Sequence, residues 1–442
     1  MFTRKDLLKL IIPLIIEQIL SVTVGMADSM MVSRVGEEAA VSGVSLVDSI
    51  NVLLIGLFGA LATGGAVVSA QFLGRKEEKS ACKAGEQLLM AVLMLSLIIT
   101  VAALIFSDGI LSLLFGEVSS EVMANAQVFF FYSALSYPFI ALYNACAALF
   151  RTMGNSRVSM LVSGMMNIIN VLGNVIFLFG FGMGVAGSAI ATLIARAVAA
   201  LTMFLLLMNK KHPIHIEKLT GFRLNAVMIR RILRIGVPNG LENSVFQIGK
   251  ILVQGIIAGL GTSAITANAV ASTIGGIGVL PGSAIGLALI TVVGRCVGAD
   301  DYDGVKKYTY KLMKIAYILM AVSNTLIIFL LPVILWLYGL SDETATISRS
   351  LMIYHCILST LIWPLSFALP NALRAANDVK FTMWVSMFSM WFWRIGFSYI
   401  LAIVLKVGVP GVWIAMTIDW IFRSTFFVTR FLKARYRRST VI

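Results

Sequence analysis

The stretch KLIIPLIIEQ (residues 9–18) decides the fold, because it returns about 225 residues later as RIGVPNGLEN (residues 234–243). Both stretches place a base, a proline, a glutamate and an amide side chain at the same spacing on an apolar segment. Further matches follow in the same order: Gly36 with Gly261, Arg151 with Arg374, Asn155 with Asp378, and GVAGSAIA (184–191) with GVPGVWIA (408–415). Matches in constant order at a nearly constant offset indicate a chain of two homologous halves.

The composition is that of a membrane protein. Hydrophobic residues make up 59% of the chain, charged residues only 13%, and the mean hydropathy is +0.93. Segments of about 20 apolar residues can cross a bilayer, and in lipid they must be helices, because their backbone amides need internal partners. The sequence therefore predicts an all-α membrane protein with twelve transmembrane helices in two homologous six-helix lobes. The expected spans lie near residues 7–33, 44–70, 87–107, 125–148, 158–180, 185–207, 228–257, 270–295, 312–336, 351–371, 381–405 and 410–429.

The net charge of +14 suggests nucleic-acid binding, but the placement of the charges argues against it. Lys and Arg crowd the N-terminus, the C-terminal tail and every second predicted loop, whereas the alternate loops hold only Arg34, Arg349 and Lys406. This alternation follows the positive-inside rule, so a multi-pass protein of the cell membrane is expected, with both termini in the cytoplasm. The basic face would contact anionic membrane lipid, and the tail residues 435–438 would anchor it there. The expected domains are an N-lobe (1–207), a cytoplasmic linker (208–227) and a C-lobe with its tail (228–442).

Two homologous halves in a membrane protein are typical of a transporter, because two bundles can rock about a shared site. The alternative is a duplication without a transport role. An enzyme is not expected, since no nucleophile–base set or metal cluster is apparent, and no cofactor is predicted. His212 and His215 fit a solvated loop better than a metal pair, and His355 fits a core or helix-end position.

Ionisable side chains at membrane depth are costly and usually functional. Some should pair with each other: Asp419 and Arg423, four apart on one helix, are expected to form a structural ion pair. Glu242 and Lys250 are eight residues apart, about 12 Å along a helix, so a direct pair needs bent side chains. For Glu242, structural pairing and substrate contact both remain open. For Asp48, solvation near the outer end of its span and function both remain open as well.

Asp28 differs from these charges, because the position that matches it in the second half is Val253. On the fifth and sixth spans, amide and hydroxyl side chains share helical faces at a depth compatible with Asp28. One carboxylate with neutral oxygens suits a weak site for a monovalent cation such as Na⁺. The alternative is that these polar side chains only hold the helices together. The residues on these faces are Asn167, Asn170, Asn174, Ser188 and Thr192.

At these residues the chain resembles the multidrug and toxic compound extrusion (MATE) family of the multidrug/oligosaccharidyl-lipid/polysaccharide superfamily. The resemblance covers nearly the whole chain and is carried by GMADSMMVSRVG (25–36), QFLGRKE (71–77) with RCVGADD (295–301), VPNGLEN (237–243) and LRAANDVK (373–380). The family implies two six-helix lobes around a central cavity and export of organic cations against an inward Na⁺ or H⁺ gradient.

The resemblance also implies a cation site in the N-lobe, to which Asp28, Asn170 and Thr192 correspond. The family's second carboxylate on helix five is replaced here by Asn174, which leaves the identity of the ion open. In another branch of the family a glutamate on helix seven belongs to a cation site of the C-lobe. Glu242 corresponds to it, but the acid expected on helix ten is missing, since that span carries Asn371.

The leading hypothesis is therefore an antiporter, expected to act as a monomer, that exports amphipathic organic cations in exchange for Na⁺ or H⁺. The alternative is a flippase for a lipid-linked oligosaccharide or a similar lipid, whose lumen should be lined by Arg and Lys. The side chains expected to line the substrate cavity and the C-lobe are Glu17, Gln18, Glu242, Asn243 and Lys250.

Overall fold

The computed structural model describes residues 2–35, 38–116, 118–216 and 224–435, and within these ranges the chain is helical without β-strands. The helices of the first half begin after short connections and follow the apolar segments of the sequence. A π-helical turn, Val175–Gly180, extends the sixth of them. These helices are α1 (Arg4–Val35), α2 (Glu38–Gly74), α3 (Glu78–Ile105), α4 (Ser107–Phe115), α5 (Ser120–Thr152), α6 (Ser156–Asn174) and α7 (Gly184–Leu207).

The helices of the second half are interrupted more often. Three π-helical segments, Pro364–Ala368, Met390–Gly396 and Ile400–Val404, divide two of the long apolar segments. The helices are α8 (Ala226–Ala258), α9 (Thr262–Gly278), α10 (Leu280–Gly298), α11 (Tyr302–Tyr338), α12 (Asp342–Trp363), α13 (Leu369–Ala375), α14 (Val379–Ser389), α15 (Phe397–Tyr399) and α16 (Val409–Leu432).

The helices form two compact units. One comprises residues 3–240, and the other comprises Phe2 together with the chain from Leu241 onward. The division falls inside α8, and residues 217–223 of the expected linker lie outside the described residues. The domain limits drawn from the sequence therefore remain a prediction.

The described residues contain eleven helical segments that are long and apolar enough to cross a membrane. The seventh expected span is present as the 33-residue helix α8, but its Glu, Asn, Gln and Lys side chains lower its mean hydropathy. The expected span at 270–295 is wrong as a single helix, because α9 ends at Gly278 and α10 begins at Leu280. Glycines at 275, 276 and 278 and a proline at 281 explain the break, since they weaken a helix interior. The fold is nevertheless the predicted all-α, twelve-helix membrane architecture.

The duplication appears in the packing of matching glycines. A Cβ atom on Gly187 would lie 2.9 Å from the backbone of Phe177, and one on Gly411 would lie 3.0 Å from that of Leu401. In each half, only glycine lets the last long helix approach the π-helical segment before it this closely. The repeated glycines of the sequence therefore mark the same helix contact made twice.

Candidate functional site

The repeated glutamate and arginine form an ion pair in each half. Arg151 Nη1 lies 2.9 Å from Glu17 Oε1, and Arg374 Nη2 lies 2.7 Å from Glu242 Oε1. Both glutamates are buried. Ser159 donates a hydrogen bond of 2.7 Å to the other oxygen of Glu17, so both carboxylate oxygens of Glu17 are occupied. Glu17 therefore joins α1 to α5 and α6, and its expected place in the substrate cavity remains a prediction.

A close contact of α6 with α7 positions the polar face of α6. A Cβ atom on Gly173 would lie 2.8 Å from the Cβ of Ala191, so glycine permits this approach. Asn167 donates a hydrogen bond of 3.0 Å to the carbonyl oxygen of Leu20 and thereby fixes α6 on α1. Asn167 thus packs α6 against α1, which is the alternative role that the sequence left open for this polar face. Asn174, two turns further along α6, contacts Asp28 instead.

The structure brings the predicted cation-site residues together. Asn174 donates from Nδ2 to Asp28 Oδ1 at 2.5 Å and approaches Asn170 Oδ1 at 3.4 Å. Asn170 in turn donates to Thr192 Oγ1 at 3.0 Å. Ser188 is buried one helical turn before Thr192 and takes part in none of these hydrogen bonds. We call Asp28, Asn170, Asn174 and Thr192 the Asp28 cluster.

The Asp28 cluster has the chemistry of a monovalent-cation site. Asn174 is fully buried, and its Oδ1 atom has no hydrogen-bond partner. An unsatisfied buried oxygen is costly, and a cation is one partner that would satisfy it. No group of three His, Cys, Asp or Glu side chains able to hold a metal occurs among the described residues. A single carboxylate with neutral oxygens favours charge +1 over charge +2.

A polar network that the sequence analysis missed lies beside the Asp28 cluster. Asp48 and Arg196 are near enough to act electrostatically on Asp28. Asn51 donates to Asp48 at 3.2 Å and accepts a hydrogen bond of 3.0 Å from Tyr137. Arg196 donates to Ser136 at 2.7 Å. The available signal was the spacing of Arg196, which lies one turn after Thr192 on α7.

In the second half, the buried charges pair differently from the prediction. The expected i, i+4 ion pair of Asp419 with Arg423 is not the one formed. Asp419 lies 3.6 Å from Arg394 Nη1, while Arg423 lies 3.6 Å from Glu242, which Arg374 also contacts. Neighbouring helices supply better-placed partners than the same helix does. Glu242 is thus held by two guanidinium groups.

Lys250 is not the partner of Glu242. Its side chain is exposed, and its ammonium group lies 5.9 Å from the centre of the Phe246 ring. The separation of eight residues along α8 explains this, because it is too long for a direct contact once Glu242 is drawn toward Arg374. Gln18 and Asn243 are half-buried, and their expected place in a cavity remains a prediction.

Comparison with known proteins agrees with this architecture. A curated relative, the uncharacterized transporter YisQ of Bacillus subtilis, is 29% identical over 92% of this chain and 90% of its own length. The probable multidrug resistance protein NorM of Thermotoga maritima is 25% identical over 99% of this chain and 94% of its own. A solved outward-facing multidrug resistance MATE transporter superposes with a TM-score of 0.90 at 21% identity, covering 99% of this chain and 97% of that chain.

The profile of the MatE family matches residues 13–176 and again residues 238–400, which is most of each half of the chain. The two matched ranges coincide with the two halves that the internal repeat defined. The chain is a membrane transporter and belongs to the MatE family.

Proposed function

We propose that this transporter exports amphipathic organic compounds in exchange for a monovalent cation, Na⁺ or H⁺, that binds at the Asp28 cluster. The observation that carries the proposal is the buried Asn174 Oδ1 atom without a partner, on a side chain whose amide nitrogen contacts the carboxylate of Asp28 and the amide oxygen of Asn170. The name of the Thermotoga relative, a probable multidrug resistance protein, supports drug export.

Coupling follows from the helices that the Asp28 cluster joins. Asp28 lies on α1, Asn170 and Asn174 on α6, and Thr192 on α7. A bound cation would hold these three helices in one arrangement, and its release would let another arrangement become stable. A ligand shifts such an equilibrium only as far as its affinity for the two arrangements differs. The direct contact of the ion with three helices provides that difference.

Asp28 is the only carboxylate that takes part in the hydrogen bonds of this cluster, and Asn174 cannot take up a proton near neutral pH. A proton on Asp28 would remove the charge that attracts Na⁺. Na⁺ and H⁺ should therefore compete for one position, and either gradient could drive export. This supports a coupling scheme without a two-carboxylate proton relay.

The second half of the chain gives little support to the expectation that the substrate is an organic cation. Its three buried carboxylates among the described residues, Glu242, Asp378 and Asp419, each lie within 3.6 Å of a guanidinium nitrogen. A cationic substrate would have to break one of these pairs. The excess of guanidinium groups is the one observation that favours the alternative, a flippase for a lipid-linked oligosaccharide or another lipid-like substrate.

We further propose that both termini and the linker face the cytoplasm of a cell-membrane protein, because the basic loops alternate with neutral ones. A cysteine replacing Thr220, which lies outside the described residues, should not react with impermeant thiol reagents in intact cells. Prompt labelling from outside would reverse the topology.

The test of the transport proposal uses purified protein in proteoliposomes with a Na⁺ or a H⁺ gradient imposed separately. Uptake of matched fluorescent compounds with positive, neutral and negative headgroups is measured under each gradient. The proposal predicts accumulation that depends on at least one gradient and stops when the gradient is dissipated by an ionophore. Equal uptake with and without both gradients would contradict it, and movement of a labelled acidic lipid alone would support the flippase.

A further inference from the structure

A cluster of buried basic side chains lies in the second half, and the proposed coupling mechanism does not use it. Arg374 and Arg423 are at most 9% exposed, and the side chain of Arg394 is 13% exposed. Lys250 lies at the exposed end of the same group, and both its ammonium group and the guanidinium of Arg423 lie 5.9 Å from the centre of the Phe246 ring. We call these four residues the basic cluster. The carboxylates within 4 Å of these bases among the described residues are Glu242 and Asp419.

Four positive charges therefore face two negative ones. The compensation is also loose: only the contact of Arg374 with Glu242, at 2.7 Å, is short, while Arg423–Glu242 and Arg394–Asp419 are both 3.6 Å long. The Nε atoms of all three arginines are buried and have no hydrogen-bond partner. Buried guanidinium groups normally use these donors, because an unpaired buried donor is costly.

Aromatic rings form the walls around the basic cluster. The guanidinium of Arg423 lies 4.3 Å from the centre of the Phe367 ring and 5.9 Å from that of Phe246. Trp363 stacks on Phe367 with ring centres 5.0 Å apart. Lys250 lies over the other wall, Phe246. The arrangement therefore combines positive charge and unused N–H donors with apolar ring surface.

This combination matches one class of ligand. A carboxylate, sulfonate or phosphate would supply the missing negative charge and accept from the unused donors, since guanidinium groups bind such planar or tetrahedral oxyanions in two-point contacts. A flat apolar body would lie against the rings. An organic cation would meet an excess of like charge. An entirely structural role would leave three buried donors and, since Lys250 is exposed, one buried positive charge without compensation.

We propose that the basic cluster binds the acidic headgroup of the transported amphipath, so that the substrate class is an organic anion or zwitterion and not a simple organic cation. The inference rests on the proposed function in that the ligand is the exported compound. The acidic group can belong to a free compound or to a membrane lipid, and the two share the same chemistry at the cluster. Lys250, as its accessible member, would meet the headgroup first.

The test measures equilibrium binding to purified protein without any ion gradient, so that it is independent of coupling at Asp28. The probes are three fluorescent naphthalene compounds that differ only in a sulfonate, a neutral sulfonamide or a trimethylammonium group. The sulfonate should bind wild-type protein at least about tenfold more tightly than the other two, which corresponds to about 1.4 kcal/mol. Equal affinity for the three probes, or preference for the trimethylammonium compound, would overturn the proposal.

Substitutions of Lys250 test whether the sulfonate binds at the basic cluster. Lys250→Gln should weaken sulfonate binding about tenfold and leave the neutral probe unchanged, because one charge–charge contact is lost. Lys250→Glu should remove the preference for the sulfonate. Lys311→Gln, the same change at an exposed position of α11, is the control and should bind as wild type does. Both Lys250 variants should fold, since that side chain is exposed. If Lys250→Gln and Lys311→Gln bind the sulfonate alike, the proposal is wrong.

Two further measurements distinguish a lipid ligand from a free compound, and the binding inference from the antiport proposal. In nanodiscs, phosphatidylglycerol should displace the sulfonate if a lipid is the natural ligand, whereas phosphatidylcholine should not. Absence of displacement by either lipid assigns the site to free compounds. Asp28→Asn should keep sulfonate binding while losing gradient-driven transport. If the sulfonate binds but no gradient drives its export, the binding inference stands and the antiport proposal fails.

Discussion

The two halves of the chain share one ion pair and differ in nearly every other charged side chain at membrane depth. Glu17–Arg151 and Glu242–Arg374 occupy matching positions and make matching contacts. Apart from Arg374, which belongs both to the duplicated pair and to the basic cluster, the charged functional candidates have no such mates. At the offsets of about 225 residues set by the repeat, the matched residues are Asp28 with Val253, Thr192 with Met416, Gly25 with Lys250, Ala195 with Asp419 and Ala199 with Arg423.

This difference indicates how the two kinds of residue should be interpreted. A charge that appears in both halves holds the fold, because both halves need the same helix contacts. A charge that appears in one half serves a task that the other half does not perform. On this reasoning we assign the proposed cation site to the first half and the proposed anion site to the second half.

The largest effect is expected from breaking the duplicated pair. Arg151→Ala leaves Glu17 buried with only Ser159, and removal of one partner of a buried pair typically costs about 3–5 kcal/mol. Arg374→Ala should cost less, because Arg423 lies 3.6 Å from Glu242 and can compensate in part. Thermal unfolding of the two variants in detergent compares them directly. Greater loss for Arg374→Ala, or wild-type stability for both, would contradict a scaffolding role.

The next effect concerns the identity of the coupling ion. Asn174→Asp would place a second carboxylate beside Asp28, where the wild type has an amide that donates to it. Two neighbouring carboxylates cannot easily both be ionised, so one proton is retained. Export by the variant should depend more on the H⁺ gradient and less on Na⁺. The measurement is the ratio of the two driven rates from pH 5.5 to 8.5, and an unchanged ratio would exclude Asn174 from the ion site.

Smaller effects are expected from the neutral oxygens. Thr192→Val and Asn170→Leu each remove one oxygen from the cluster and should raise the half-saturating Na⁺ concentration about tenfold, equivalent to about 1.4 kcal/mol. Ser188→Ala, a buried change one turn away that touches none of the cluster hydrogen bonds, is the matched control and should change it less than about twofold. Equal effects in all three variants would indicate that these residues only pack the helices together.

Much of the N-terminal site could be predicted from the sequence. Asn170 and Asn174 are four residues apart and share a helical face, and Asp28 has no repeat mate. Helical periodicity, the repeat and the estimated depths of these residues in the membrane group them with Thr192, and the family resemblance indicates the same residues. The surrounding network could not be predicted, since Tyr137 is 86 residues from Asn51 and only the packed helices bring them together.

The pairing of charges was harder to predict than their grouping. The i, i+4 spacing predicts an ion pair between Asp419 and Arg423, but Asp419 lies beside Arg394, which comes from a different helical segment. Spacing along one helix carries no information about partners on other helices. The partner of Glu17 lies 134 residues away. The repeat did contain that signal, because a glutamate and an arginine recur together in both halves. Two residue types that recur together in both halves of one chain can indicate a contact.

The most direct test of ion coupling at Asp28 compares gradient-driven export by wild type, Asp28→Asn and Asp108→Asn in proteoliposomes. Asp28 belongs to one half only, whereas Asp108 is an exposed carboxylate outside the cluster and controls for the chemical change. We expect Asp28→Asn to remain folded and monodisperse and still to bind substrate, but to lose export driven by Na⁺ and by H⁺, while Asp108→Asn exports normally. Export by Asp28→Asn at the wild-type rate under either gradient would contradict this expectation.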